Sequence, residues 1–218
     1  ASASVTLNPD ALAKLFVEPR SAVLAIGEST QLLATALDQY GNEIPGAFFS
    51  YSLPEESGDS TIDSSGLFVA GTIAGSFEIQ IQAVRKAISE TAFSTITVLP
   101  DSLDQLRLSP REPTLAVGEQ QAFTVEASDR YGNQIRDVAV AWDVVGRGGT
   151  IDENGLFAAG THSGTFSDTV AVRVTDRGVT KHEAASVTIQ PGLLTKVVIE
   201  PLPVLSTPIG VTTDFGAR

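Results

Sequence analysis

The sequence predicts an all-β chain, tandem antiparallel β-sandwiches arranged as a rod, and three observations carry that prediction. Phrases recur at a fixed spacing: Pro9, Pro100 and Pro191 are 91 residues apart, and so are Pro19, Pro110 and Pro201. A period this long marks an array of one folded unit. Apolar and polar residues alternate along most of the chain, with no sustained helical period. Gly, Pro, Asn and Asp divide the alternating runs into short strands, about seven to a repeat, which is the pattern of a two-sheet sandwich.

Each repeat opens on a strand that ends in proline, Leu12 to Pro19 and again Leu194 to Pro201. Ile26-Gly27-Glu28 and Val117-Gly118-Glu119 follow at the same spacing. Asp38-Gln39-Tyr40-Gly41-Asn42 then matches Asp129-Arg130-Tyr131-Gly132-Asn133. Asp and Asn bond their own backbone in turns, and Gly accepts positive φ. Tyr51 and Trp142 stand at equivalent places on the next strand; a bulky aromatic there is expected to fill the space between the sheets. Ile62 to Thr72 matches Ile151 to Thr161, with Phe68 and Phe157 as core anchors. Phe77, Ile79 and Ile81 alternate with Glu78, Gln80 and Gln82, as Val170, Val172 and Val174 do with polar or small neighbours. The β-branched runs Ser94–Leu99 and Ser186–Gln190 read as closing strands.

The period sets the expected domains. Residues 1–10 correspond to 92–101 and 183–192 and read as the closing strand of a preceding repeat. Residues 11–101 and 102–192 are two complete repeats, each of a size to hold its own core. Residues 193–218 read as the opening strands of a truncated third, so the chain is expected to be a window on a longer array. The connectors Leu99–Leu103 and Gln190–Leu194 are short and contain proline, which limits hinge freedom. Two length changes separate the complete repeats: one at residues 55–60, against Gly146–Gly149, and another expected near 175–182.

Composition excludes several classes of function. With no cysteine and no methionine, disulfides, thiol catalysis and Cys-based metal sites are ruled out. A net charge of −12 argues against nucleic acid and anionic lipid, both of which need a basic footprint. No apolar run reaches the roughly 18 residues that would span a bilayer, so no membrane insertion is expected in this segment.

The ordered set of motifs (strand-Pro, Val/Ile-Gly-Glu, Ala-x-Asp-x-Tyr-Gly-Asn, aromatic, Ile-Asp-x-x-Gly-Leu-Phe-x-Ala-Gly-Thr, closing strand) resembles the bacterial Ig-like, or Big-type, repeats of invasin- and intimin-type adhesins. The resemblance covers nearly the whole chain. It implies Ig-like sandwiches, an extracellular or cell-surface location and a mechanical or binding role, and it brings no catalytic residue with it.

Candidate chemistry is sparse. Carboxylate and amide oxygens in the Asp-x-Tyr-Gly-Asn segments suit Ca²⁺, so Asp38 and Asp129 are candidate ligands beside the plainer reading as turn residues. Asp101 and Asp104 at the connector are candidates for one Ca²⁺ that stiffens the joint. Glu55, Glu56, Asp59 and Asp63 form an acidic loop that does not recur, which favours a solvated loop over an ion site. His162 and His182 are the only histidines, and Ser163 beside His162 has no third member of a triad at meaningful spacing. Gly146-Arg147-Gly148-Gly149 lacks the lysine and helix of a phosphate loop. Tyr40 and Tyr131 read as turn residues packed on their own sandwich.

The expected function is therefore non-catalytic: a stalk, spacer or fibre-forming segment outside the cell, with no cofactor required. Its partners are neighbouring repeats and, through the terminal strands, further copies of itself. The alternative is an adhesin-type module that recognises a glycan or host protein through end loops.

Overall fold

The computed structural model describes residues 9–193 and Ile209. The expected strands at 1–10 and 193–218 lie outside the described residues, apart from Pro9, Asp10, Leu193 and Ile209. Among the described residues the only helical element is one 3-10 turn, Glu55–Ser57; the rest is strand, turn and coil. The chain forms two compact units: one holds the described residues of Ala1–Leu108, Val125–Ala141 and Val172–Glu183, the other those of Ser109–Thr124, Trp142–Ala171 and Ala184–Arg218.

The first repeat opens with β1 (Lys14–Glu18) and β2 (Ser21–Ala25), joined through a cis Glu18–Pro19 bond. Then come β3 (Ser29–Gln31), β4 (Leu33–Leu37), β5 (Phe48–Ser52), β6 (Thr61–Ile62) and β7 (Leu67–Val69). The long hairpin β8 (Gly75–Arg85) and β9 (Ile88–Leu99) closes it. One sheet has the order β2-β9-β8-β5; facing it are the pair β1-β4 and the three-stranded β3-β7-β6. Leu32 is why the second layer is split. It is fully buried between β3 and β4, and its N–H bonds Gly66 O at 2.8 Å, so one continuous strand passes from pairing β7 to pairing β1.

The alternation predicted for β8 holds. Phe77, Ile79, Ile81 and Ala83 are buried on one face; the first three, with Ile96 and Val98 of β9, pack against Phe68, Leu32 and Val17, while Ala83 joins a second cluster with Leu12, Ala36 and Ile44. Each large apolar side chain among them contributes roughly 1.5–3 kcal/mol by leaving water. Strand count differs from the seven expected, because strands interrupted by a buried residue or a sheet change are counted in pieces.

The second repeat carries β10 (Gln105–Ser109), β11 (Thr114–Ala116), β12 (Gln120–Ala122), β13 (Thr124–Ser128) and β14 (Gln134–Ile135). β15 (Ala139–Val144), β16 (Gly149–Ile151), β17 (Leu156–Ala159), β18 (Gly164–Asp176) and β19 (Val179–Gln190) complete it. Ser109–Pro110 is cis at the position matching Pro19. The sheet orders follow those above, β11-β19-β18-β15 with β10-β13-β14 and β12-β17-β16, except that β14 adds a third strand where the first repeat has the isolated bridge Leu37↔Glu43. Phe123 takes the place of Leu32, with its N–H on Gly155 O, and meets Phe157 edge-on at 6.0 Å between ring centres.

Two expectations need correction. Tyr51 packs against the core as expected, but it and Trp142 are only half-buried. They lie against the turn glycines Gly66 and Gly155, where a Cβ would stand 2.8 Å from the Tyr51 ring and 3.0 Å from the Trp142 ring. Both glycines have positive φ, +85° and +81°, so the turn chain can pass directly beneath the aromatic. The second length change is not near 175–182. It is an extra pair of residues in β18, Asp168 and Thr169, where Asp168 turns to φ +49° and buried Thr169 donates its hydroxyl to Val145 O at 2.7 Å. Extra residues that bend one strand of a pair are a β-bulge.

Candidate functional site

The Asp-x-Tyr-Gly-Asn loops are the most fully built polar feature of the chain. Asp38 N–H reaches Asn42 O at 3.0 Å and Gly41 N–H reaches Asp38 O at 3.1 Å; Asp129, Asn133 and Gly132 repeat both distances. Gly41 and Gly132 make the loop possible with φ of +88° and +87°. The aspartate side chain then turns inward and is almost wholly buried.

Each buried carboxylate is saturated with donors. Asp38 Oδ1 accepts from the backbone of Tyr40 and Asn42, both at 2.9 Å; Oδ2 accepts from Asn42 Nδ2 at 2.9 Å and Asp10 N at 3.0 Å. Asp129 accepts from Tyr131 N and Asn133 N at 2.9 Å, Asn133 Nδ2 at 2.8 Å and Asp101 N at 2.9 Å. A carboxylate offers about four lone-pair positions; three are taken by N–H groups of the loop itself and the fourth by the backbone N–H of Asp10 or Asp101. The Asn42 carboxamide is the main reason that the Asp38 carboxyl is held down at about 2; burial opposes it, and the N–H groups of Asn42, Asp10 and Tyr40 add to it. At Asp129 burial pushes upward most strongly, but the bonds from Asn133, Asp101 and Tyr131 together outweigh it, and the carboxyl lies below its usual range.

Asp101 and Asp104 carry their own cations. Asp101 Oδ2 pairs with Arg130 Nε at 3.1 Å, and Asp104 Oδ1 with Lys181 Nζ at 3.5 Å. Gln39 Nε2 does for Asp10 what Arg130 does for Asp101, at 2.9 Å. Arg177 Nη2 adds bonds to Pro100 O at 3.1 Å and Asp101 O at 2.6 Å. Of the Ca²⁺ candidates, the structure therefore brings Asp101 to Asp129 through a backbone N–H, and sets Asp38 beside Asp10. Among the described residues no three His, Asp or Glu side chains converge as ligands of one ion.

Sequence reasoning missed the role of the loop's last residue. Within the first unit, Asn133 reaches beyond its own loop: Oδ1 accepts from Ala74 N at 2.8 Å and Nδ2 donates to Thr72 O at 2.8 Å. The turn that it grips is braced by Asp59, whose Oδ1 accepts from Thr72 N at 2.7 Å and Thr72 Oγ1 at 3.0 Å. The signal was present, since both Asp-x-Tyr-Gly-Asn and Ala-Gly-Thr are repeated phrases, but nothing in the spacing says that they meet.

The remaining candidates are placed simply. Asp63 Oδ1 caps its own turn through Ser65 and Leu67, while Glu55 and Glu56 are exposed. His162 is exposed, with Thr161 Oγ1 3.5 Å from Nδ1. Arg130 stacks over Tyr131 at 4.7 Å, leaving that ring 44% exposed, whereas Tyr40 is 77% exposed. No helix is long and apolar enough to cross a membrane among the described residues.

No protein-family model and no curated protein matches the chain. Among solved structures it is similar to the Escherichia coli adhesin FdeC, at 21% identity and TM-score 0.40 over 85% of this chain and 68% of that one. It is similar to the surface layer protein SbsC, domains 1–6, at 15% identity and TM-score 0.39 over 88% of this chain and 30% of that one. Mouse cadherin-23 EC22–24 matches at 14% identity and TM-score 0.44, over 85% and 65%. The fold class rests on the strands and their order, not on these likenesses.

Proposed function

We propose that the chain is a non-catalytic structural segment of an extracellular or cell-surface protein, a stalk or spacer whose sandwiches bear load. The observation that carries this is the pairing of the opening and closing strands. β2 runs parallel to β9 through five residue pairs, Ser21↔Thr95 to Ala25↔Leu99, and β11 runs parallel to β19 through three, Thr114↔Thr188 to Ala116↔Gln190. Tension applied from the two ends of a repeat pulls such strands along each other in opposite directions. Their bonds are evenly spaced, so they load together rather than opening one after another. The resemblance to Big-type repeats and the acidic composition support a surface location.

Single-molecule pulling through the two ends tests the reading. Two unfolding events are expected, the repeat with five parallel pairs rupturing at the higher force. Ala22→Pro sets a proline in that ladder and should lower the higher peak selectively. A peak that Ala22→Pro leaves unmoved would sink the load-bearing reading.

A further inference from the structure

We infer that the loop Asp38–Asn42 is a docking site for the Ala-Gly-Thr-x-x turn of another sandwich of this type, gripped by Asn42 as Asn133 grips Thr72 and Ala74. The inference rests on the structural reading above and names the surface by which such sandwiches join.

The two loops are built alike to within 0.1 Å in every corresponding bond around the aspartate. In both, the Asn carboxamide spends one N–H on the aspartate Oδ2. Asn133 uses its second N–H and its Oδ1 on the backbone of Thr72 and Ala74. Asn42 is exposed, and among the described residues its Oδ1 and second N–H make no bond. The flanking anchor is present as well: Asp10 N is already on Asp38 and Asp10 Oδ2 is held by Gln39, reproducing Asp101 with Asp129 and Arg130. The site is thus complete except for its occupant.

The occupant is defined by what Asn133 binds: a backbone C=O and, two residues on, a backbone N–H. Asn133 meets these groups in the turn of Ala70-Gly71-Thr72-Ile73-Ala74, a phrase that recurs as Ala159-Gly160-Thr161-His162-Ser163. In the second copy the turn is held by Gly160 N–H on Gly148 O at 2.9 Å, and its Thr161, His162 and Ser163 are exposed. Recognition is by main chain, so the variable residue, Ile73 or His162, does not decide it. The chain therefore carries both halves of a second joint: the grip at Asn42 and the turn at Thr161–Ser163.

The absence of cysteine makes trapping clean. Glu43→Cys, at the exposed residue beside Asn42, and Thr161→Cys chains are mixed under mild oxidation, with Ser64→Cys, at another exposed turn, replacing Glu43→Cys in the control. The disulfide-linked dimer of the Glu43→Cys and Thr161→Cys chains, which keep the Asn42 carboxamide, is expected to form roughly tenfold faster than that of the control pair, because docking raises the effective concentration of the two thiols. Equal rates overturn the inference. Should Glu43→Cys lower the melting temperature, the unaltered chain decides by NMR. The Asn42 side-chain amide and the Ser163 backbone amide are expected to shift together as the protein is concentrated, and their standing still overturns the inference. Failed trapping beside a high unfolding force removes only the docking site. Trapping beside an unfolding force insensitive to Ala22→Pro removes only the load-bearing role.

Discussion

Gly71 and its counterpart Gly160 both donate an N–H at the same corner of a sandwich, yet to different acceptors. Gly71 N–H goes to the hydroxyl of Ser60 at 3.0 Å, supplied by a loop with a 3-10 turn at Glu55–Ser57. Gly160 N–H goes to the carbonyl of Gly148 at 2.9 Å, because that loop is two residues shorter and its backbone comes closer. Close approach requires glycine: a Cβ on Gly149 would stand 2.7 Å from the Phe157 ring. The two residues missing from the second loop reappear as the Asp168–Thr169 bulge, whose hydroxyl serves Val145 O. What is held constant is the satisfaction of each backbone group, while the group that satisfies it varies.

If the frame is common to both repeats, its anchors must cost the same despite the different loops. Phe68→Ala and Phe157→Ala each remove a fully buried ring and should each lower stability by about 3–5 kcal/mol in chemical denaturation. A loss near 0.5 kcal/mol for either, the range of a surface substitution, would break the equivalence. The turn glycines come next. Gly66→Ala and Gly155→Ala force a side chain into positive φ against Tyr51 or Trp142 and should cost about 1–3 kcal/mol each. Trp142 is the only tryptophan, so Gly155→Ala should also shift the emission, and Gly66→Ala should not.

The comparison itself is sharpened by Ser60→Ala. It strips the acceptor from Gly71 N–H and should cost about 1–3 kcal/mol, the usual penalty for orphaning a buried donor. Hydrogen exchange at Gly71 should quicken while Gly160 is untouched. Faster exchange at both sites would mean that the two corners do not stand on separate acceptors.

Much of this fold was legible because alternation and turn chemistry are local. Phe77, Ile79 and Ile81 declare a buried face by spacing alone, and Asp38 to Asn42 declare a tight turn by residue type. The bulge was not legible in place. Gly75 and Gly164 are 89 apart while Pro100 and Pro191 are 91 apart, so two residues had to re-enter between them. Strand residues alternate on either side of Asp168, however, and alternation does not mark where the register slips. The half-burial of Tyr51 and Trp142 depends on how closely a distant turn passes, which no local pattern encodes. The Asn133 grip joins phrases 59 and 61 residues apart through main-chain atoms, which have no sequence signature.

Acid exposes the same asymmetry with the smallest effect, because nothing changes at neutral pH. The Thr72 N–H and hydroxyl hold Asp59 below its ordinary value, and the Ser65 hydroxyl and Leu67 N–H do the same for Asp63. With Asp38, three lowered carboxyls brace the first repeat, and Asp129 belongs to the second. A carboxyl lowered in the folded state contributes stability that is complete above its unfolded value, 3.8, and is lost as pH falls through the folded value, about 2 for Asp38. Between those limits, amide signals and exchange protection around β3, β6 and β7 should fade before those of β12, β16 and β17. Asp59→Asn removes one titrating brace and should flatten the pH slope of the first repeat alone. Simultaneous loss in both repeats would mean that acid acts through net charge rather than through these named bonds, and the asymmetry of the loops would then have no energetic counterpart.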